Sequence, residues 1–80
     1  MDIHVDILSP EWSRCVETDA IFLPGTLGEF EVLRNHAPII STLTAGHIKW
    51  RTAEGEERLA IKGGVMRLKD NNMQICVEVL

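Results

Sequence analysis

The stretch Ala20-Ile21-Phe22-Leu23-Pro24-Gly25-Thr26-Leu27-Gly28-Glu29-Phe30-Glu31-Val32-Leu33 decides the fold class. Ala20 to Leu23 is a continuous apolar run, short enough for a strand and predicted to be covered on both faces. Pro24-Gly25 is expected to stop it. Thr26-Leu27-Gly28 then reads as a short turn, because glycine takes a positive φ without a Cβ penalty. From Glu29 to Leu33 the period is two, with Phe30 and Val32 on one side and Glu29, Glu31 and Leu33 on the other. Arg34-Asn35-His36-Ala37-Pro38 follows as a loop, since Pro38 pushes Ala37 toward extended geometry and argues against a helix.

The same period extends outward in both directions. Toward the N-terminus, Ile3, Val5 and Ile7 alternate with Asp2, His4 and Asp6. Ser9-Pro10-Glu11 breaks that strand, and one further strand region is expected from Cys15 through Val16 to Leu23. Toward the C-terminus, Ile39 to Leu43 is extended. Ile48 and Trp50 then alternate with Lys49 and Arg51, and Ala53-Glu54-Gly55-Glu56 is a hairpin turn signal. Leu59 and Ile61, then Met66 and Leu68, read as two strands separated by Gly63-Gly64, a corner or bulge. Asp70-Asn71-Asn72 is another turn before a last strand with Met73, Ile75, Val77 and Val79 inward. About eight short strands, with turns every ~8–12 residues, predict an all-β antiparallel sandwich or barrel. No apolar period of 3.6 residues is sustained, so no real helix is expected.

The chain has 80 residues, 45% of them hydrophobic and 25% charged, with six glycines and three prolines. That is one small globular domain, residues 1–80. Twelve acidic residues against eight basic ones give a net charge of −4, which leaves no basic footprint for nucleic acid. No apolar run reaches the ~20 residues of a membrane helix, and the N-terminus shows no signal peptide.

Residue types alone point to no catalytic machinery. His36 beside Glu29 and Glu31 could form an acid–base pair, but no nucleophile or oxyanion donor set accompanies it, and a loop histidine near surface carboxylates is the simpler reading. Cys15 and Cys76 form no CxxC pair and no metal spacing with His4, His36 or His47. They read as two reduced thiols, with a disulfide between distant strands as the alternative. Asp70-Asn71-Asn72 lacks the ligand spacing of a calcium loop. Gly63-Gly64 is no phosphate cradle, because no helix start follows it. Lys49, Arg51, Arg58, Lys62, Arg67 and Lys69 lie on the polar faces of successive strands. They are an ordinary solvated face or, if neighbours, a stripe for an acidic partner. Trp50 is a core or partner anchor, placed on the strand face of Ile48.

The segment Leu23-Pro24-Gly25-Thr26-Leu27-Gly28-Glu29-Phe30-Glu31-Val32-Leu33-Arg34-Asn35-His36-Ala37-Pro38 resembles the LPG-T-x-GEF-x-VL-x-x-HAP segment of the epsilon-subunit family of F-type ATP synthases (delta in mitochondria). Agreement continues through Leu43, Gly46-His47-Ile48, Lys62-Gly63-Gly64-Val65 and Asn71-Asn72-Met73, and so covers essentially the whole chain. The resemblance implies a ten-stranded β-sandwich without catalytic residues or a cofactor. It implies a rotor subunit of the central stalk that couples the c-ring to the gamma subunit and the catalytic head during proton-driven ATP synthesis. The implied place is peripheral, on the cytoplasmic face of the bacterial plasma membrane. The family sets the loop around Glu29 and the His36 turn at the sandwich end facing the c-ring, which carries over to Gly28, Glu29, Glu31, Arg34 and His36. The family ordinarily continues into a regulatory helical hairpin, in some members an ATP site. This sequence stops at Leu80, so neither is carried over, and a short form starting at Met1 is expected, with an expressed fragment as the alternative. Apart from the resemblance, the residues also fit a free-standing sandwich that binds a peptide or small ligand at a sheet edge, or an uncharacterised hydrolase or isomerase using His36 and Glu29.

Overall fold

Each apolar alternation becomes a strand with one face turned inward. The computed structural model describes residues 2–79. They form eight strands: β1 (Ile3–Leu8), β2 (Ser13–Thr18), β3 (Ala20–Gly25), β4 (Gly28–Leu33), β5 (Ile39–Leu43), β6 (Gly46–Thr52), β7 (Gly55–Lys69) and β8 (Asn72–Val79). Among the described residues there is no helix. The hydrogen-bonded order is β2-β1-β8-β7-β5-β3-β4, with β6 bridging β3 and β7. The strands make two layers, one of β2, β1, β8, the second half of β7, and β5, the other of β4, β3, β6 and the first half of β7. Between them lie Ile3, Val5, Ile7, Ile21, Leu23, Val32, Ile48, Trp50, Ile61, Met66, Met73 and Ile75, each at most 1% exposed. Removing each such side chain from water stabilises the fold by about 1.5–3 kcal/mol before chain entropy is set against it.

The strand count agrees with expectation, but three boundaries do not. The region from Cys15 to Leu23 is two strands. The Thr18 hydroxyl is buried, accepts the Ala20 N–H at 3.3 Å, and sits 2.9 Å from the Arg51 carbonyl and 3.0 Å from that of Ala20. This local side-chain bonding turns the chain at Asp19 and sends it from one layer to the other. Conversely, Leu59–Ile61 and Met66–Leu68 belong to the single 15-residue strand β7. A register shift between Ile61 and Gly63 bends that strand so that its first half pairs with β6 and its second half with β5 and β8. A bulge at a sandwich corner lets one strand serve both sheets. Gly64 is required there, because a Cβ would collide with the Cys76 carbonyl.

Pro24 does not end β3. It pairs with Glu29, and its carbonyl accepts the Thr44 N–H at 2.8 Å, while the tight turn is Thr26-Leu27. The pairing is also not wholly antiparallel, since β1 runs parallel to β8 from His4–Asn72 to Leu8–Cys76. No hairpin joins these two strands, so the whole intervening chain supplies the long crossover that parallel pairing needs.

Candidate functional site

The residues expected at one end of the sandwich lie along one edge of it. β4 pairs only with β3 and is therefore a sheet edge. Gly28 opens the strand with φ +129°, and Arg34 and Asn35 form the turn past Leu33, with Asn35 at φ 64°. Five extended steps from Gly28 to Leu33 advance about 17 Å, so Gly28, Glu29, Glu31, Arg34 and His36 are spread along that edge instead of gathered at a point. All five are exposed. Charge on an edge strand also blocks unwanted strand pairing.

Glu29 and His36 each have their own local partner. Glu29 lies 3.3 Å from Lys49 Nζ, which also sits 5.9 Å from the Phe22 ring centroid. The His36 Nδ1–H donates to the Ala37 carbonyl at 2.7 Å. The loop is tied down beside it, where the Asn35 N–H donates to Asn71 Oδ1 at 2.7 Å and Asn71 Nδ2 donates to Asn35 Oδ1 at 3.1 Å. Asn71 belongs to the two-residue Asp70-Asn71 turn, whose φ values of 52° and 61° suit a left-handed hairpin corner. Glu29 and His36 thus bond to different neighbours, and the structure does not assemble them into an acid–base pair.

Trp50 is core, at 1% exposure, and is not part of a surface. Arg14 lies over its ring at 5.2 Å and bonds to Glu57 at 2.6 Å, closing the core from outside. The six cations do not form one stripe, because β7 bends between them. Lys49, Arg51 and Arg58 are paired with Glu29, Asp19 and Glu56 at 3.3, 3.3 and 3.1 Å. Arg67 and Lys69 lie beyond the bulge, opposite Ile40, Gln74 and Asn72.

Two groupings were not read from the sequence. On the outer face of the first layer, the register sets Leu8, Cys76 and Val65 side by side across β1, β8 and β7. Leu8 is 38% exposed, Val65 47%, and Ile40 on the next strand 77%. This apolar strip is invisible one strand at a time, because each strand contributes a single residue to it. On the same face, nearer the β2 edge, Asp6 faces Cys15 and His4 faces Glu17. The Cys15 thiol donates to Asp6 Oδ1 at 2.9 Å, and His4 Nε2 lies 3.2 Å from the same oxygen. The donated S–H holds the Asp6 pKa below its ordinary value, and the carboxylate, helped by desolvation, raises that of Cys15. The contact follows from the Ser9–Trp12 turn, closed by the Ser9 N–H donating to the Trp12 carbonyl at 2.9 Å. Counting symmetrically about that turn was the signal available in the sequence. Cys15 and Cys76 are both free and lie two strands apart with β1 between them. That is about 9.5 Å sideways, too far for the alternative disulfide.

The molecule is therefore a small β-sandwich domain whose charged edge and apolar outer strip are laid out on its surface. By sequence it belongs to a defined family of that kind: the family model described as "ATP synthase, Delta/Epsilon chain, beta-sandwich domain" matches residues 2–80, and the chain belongs to this family. Over 77 residues it is 34% identical to the ATP synthase epsilon chain of Leptospira borgpetersenii, an alignment covering 95% of this chain and 61% of that protein. The chain thus spans about three fifths of the length of that relative. Its fold superposes on a chain of the Euglena gracilis mitochondrial ATP synthase with a TM-score of 0.85 at 20% identity, covering 95% of this chain and 50% of the other. A chain in the central stalk and c-ring structure of the Tetrahymena thermophila enzyme gives 0.77 at 14% identity, covering 94% and 62%. At these identities the structural likeness speaks for the fold alone. Among the described residues, no helix is long and apolar enough to cross a membrane.

Proposed function

We propose that this chain works as the sandwich domain of the central stalk of an F-type ATP synthase, a non-catalytic rotor part that couples the c-ring to the gamma subunit and the catalytic head. The observation that carries this reading is the family match over residues 2–80, which spans the whole described sandwich. The surface supports it. Torque transmission needs a close-packed body that adheres at two places, and the domain offers a continuous core and two distinct outer features. The polar β4 edge with its flanking loops, carrying Gly28, Glu29, Glu31, Arg34 and His36, is the proposed contact with polar loops of the c-ring, where charge sets register more than affinity. The outer strip of Leu8, Val65 and Ile40 is the proposed seat of gamma, since apolar exposure of this kind marks docking surfaces. The proposed place is peripheral, on the cytoplasmic face of a bacterial plasma membrane. Affinity purification of the tagged chain from detergent-solubilised native membranes tests this. Recovery with gamma, the c-ring and the catalytic head is expected, and recovery as a free monomer would overturn the reading.

A further inference from the structure

We propose that His4, Asp6 and Cys15 form a binding site for a zinc-class divalent cation on the outer face of β1 and β2. An imidazole nitrogen, a carboxylate oxygen and a sulfur are donors zinc takes, and here all three lie within 4.8 Å of one another. Asp6 Oδ1 stands 2.9 Å from Cys15 Sγ and 3.2 Å from His4 Nε2. Around tetrahedral zinc, with bonds of about 2.0–2.3 Å, such donors sit roughly 3.3–3.6 Å apart, so small rotations of the side chains admit the ion.

The fold builds this arrangement. His4 and Asp6 are two apart on β1 and share a face, and the antiparallel register places Cys15 directly opposite Asp6. Glu17, opposite His4, lies 3.5 Å from Nδ1. From there its carboxylate is placed to steady the ring while Nε2 faces Asp6, the carboxylate–histidine–metal relation that fixes tautomer and orientation at metal sites. Glu17 is a positioning residue and not a ligand.

The donors face solvent, so water completes the coordination shell. On binding, the S–H bond of Cys15 breaks, its electron pair passes to the metal and its proton leaves to solvent. Sulfur and imidazole together select zinc over magnesium or calcium, which take oxygen ligands. A bound ion would fasten the edge strand β2 to β1.

Cobalt(II) is the probe, titrated into the reduced, metal-free full chain. A thiolate-to-cobalt charge-transfer band saturating at one equivalent is expected, together with a melting temperature that rises on adding zinc, because the ion binds only the folded state. Both should vanish in Cys15→Ser and in His4→Ala and survive in Cys76→Ser. Glu17→Gln should weaken cobalt binding about 10-fold. Far-ultraviolet circular dichroism confirms that the variants remain folded. No band in the unmodified protein, or a band that persists in Cys15→Ser, would overturn the site.

Discussion

Glu29 and His36 each have one local partner, Lys49 and the Ala37 carbonyl, and both stand in solvent. An exposed ion pair contributes about 0–1 kcal/mol. Glu29→Ala and His36→Ala are therefore expected to leave stability within about 0.5 kcal/mol of the parent while weakening proton-coupled function of the assembled enzyme. Thermal melts of the domain, set beside proton-pumping assays of the reconstituted enzyme, check this. A large fall in melting temperature with normal pumping would make both residues structural. Trp50 is the opposite case. It is the largest fully buried side chain, and its indole N–H has no partner among the described residues. Truncation to alanine should cost about 3–5 kcal/mol. Trp50→Phe should cost far less, since it removes a buried N–H that is already unsatisfied. Denaturant titration reads both. In Trp12→Phe, which leaves Trp50 as the sole indole, iodide should fail to quench the fluorescence.

At the scale of elements, the bend in β7 carries the architecture. Gly64→Ala places a Cβ into the Cys76 carbonyl, a backbone atom that cannot rotate away. The expected loss is at least about 2–3 kcal/mol, measured by urea unfolding, and an unaffected midpoint would show that the corner can relax. The alternating residues of β1, β4, β6 and β8 were legible in the sequence, because burial on one face leaves a period of two. The split at Asp19 was not. No Gly or Pro stands between Cys15 and Leu23, and the break is made by the Thr18 hydroxyl reaching Arg51, 33 residues away. The continuity of β7 was hidden because Gly63-Gly64 signals a corner equally well whether a strand ends there or bends through it. The parallel partnership of β1 and β8 has no local signature at all. As for the candidate site, the family resemblance named the residues of the β4 edge, while their spread along it followed only once Gly28 and Leu33 were seen at opposite ends of a strand. His4, Asp6 and Cys15 were not read as a group because their meeting depends on cross-strand register, which only a count outward from the Ser9–Trp12 turn would have supplied.

For the whole molecule, the basic side chains are dispersed over two differently directed faces, with four of them, Arg14, Lys49, Arg51 and Arg58, matched to carboxylates. They do not converge on a triphosphate. Titration of the full chain with Mg-ATP to millimolar levels, where even ~1 mM affinity or about 4 kcal/mol would register, should give no saturable amide shifts. Saturable shifts clustered on one face would mean that this sandwich senses nucleotide directly. The place of β8 between β1 and β7 has a further consequence for how the protein is made. β8 is the last of these eight strands to leave the ribosome, yet it sits in the middle of its layer and supplies Met73, Ile75 and Val77 to the core. Until it emerges, the first of the eight strands to be made, those of the β1–β2 hairpin, lack their neighbour in the layer, and the greasy face of Ile3, Val5 and Ile7 waits uncovered. Nascent chains stalled before Asn72 should therefore be cut readily by protease, whereas chains with Val79 clear of the exit tunnel should resist, so that protection arrives in one late step instead of growing with length.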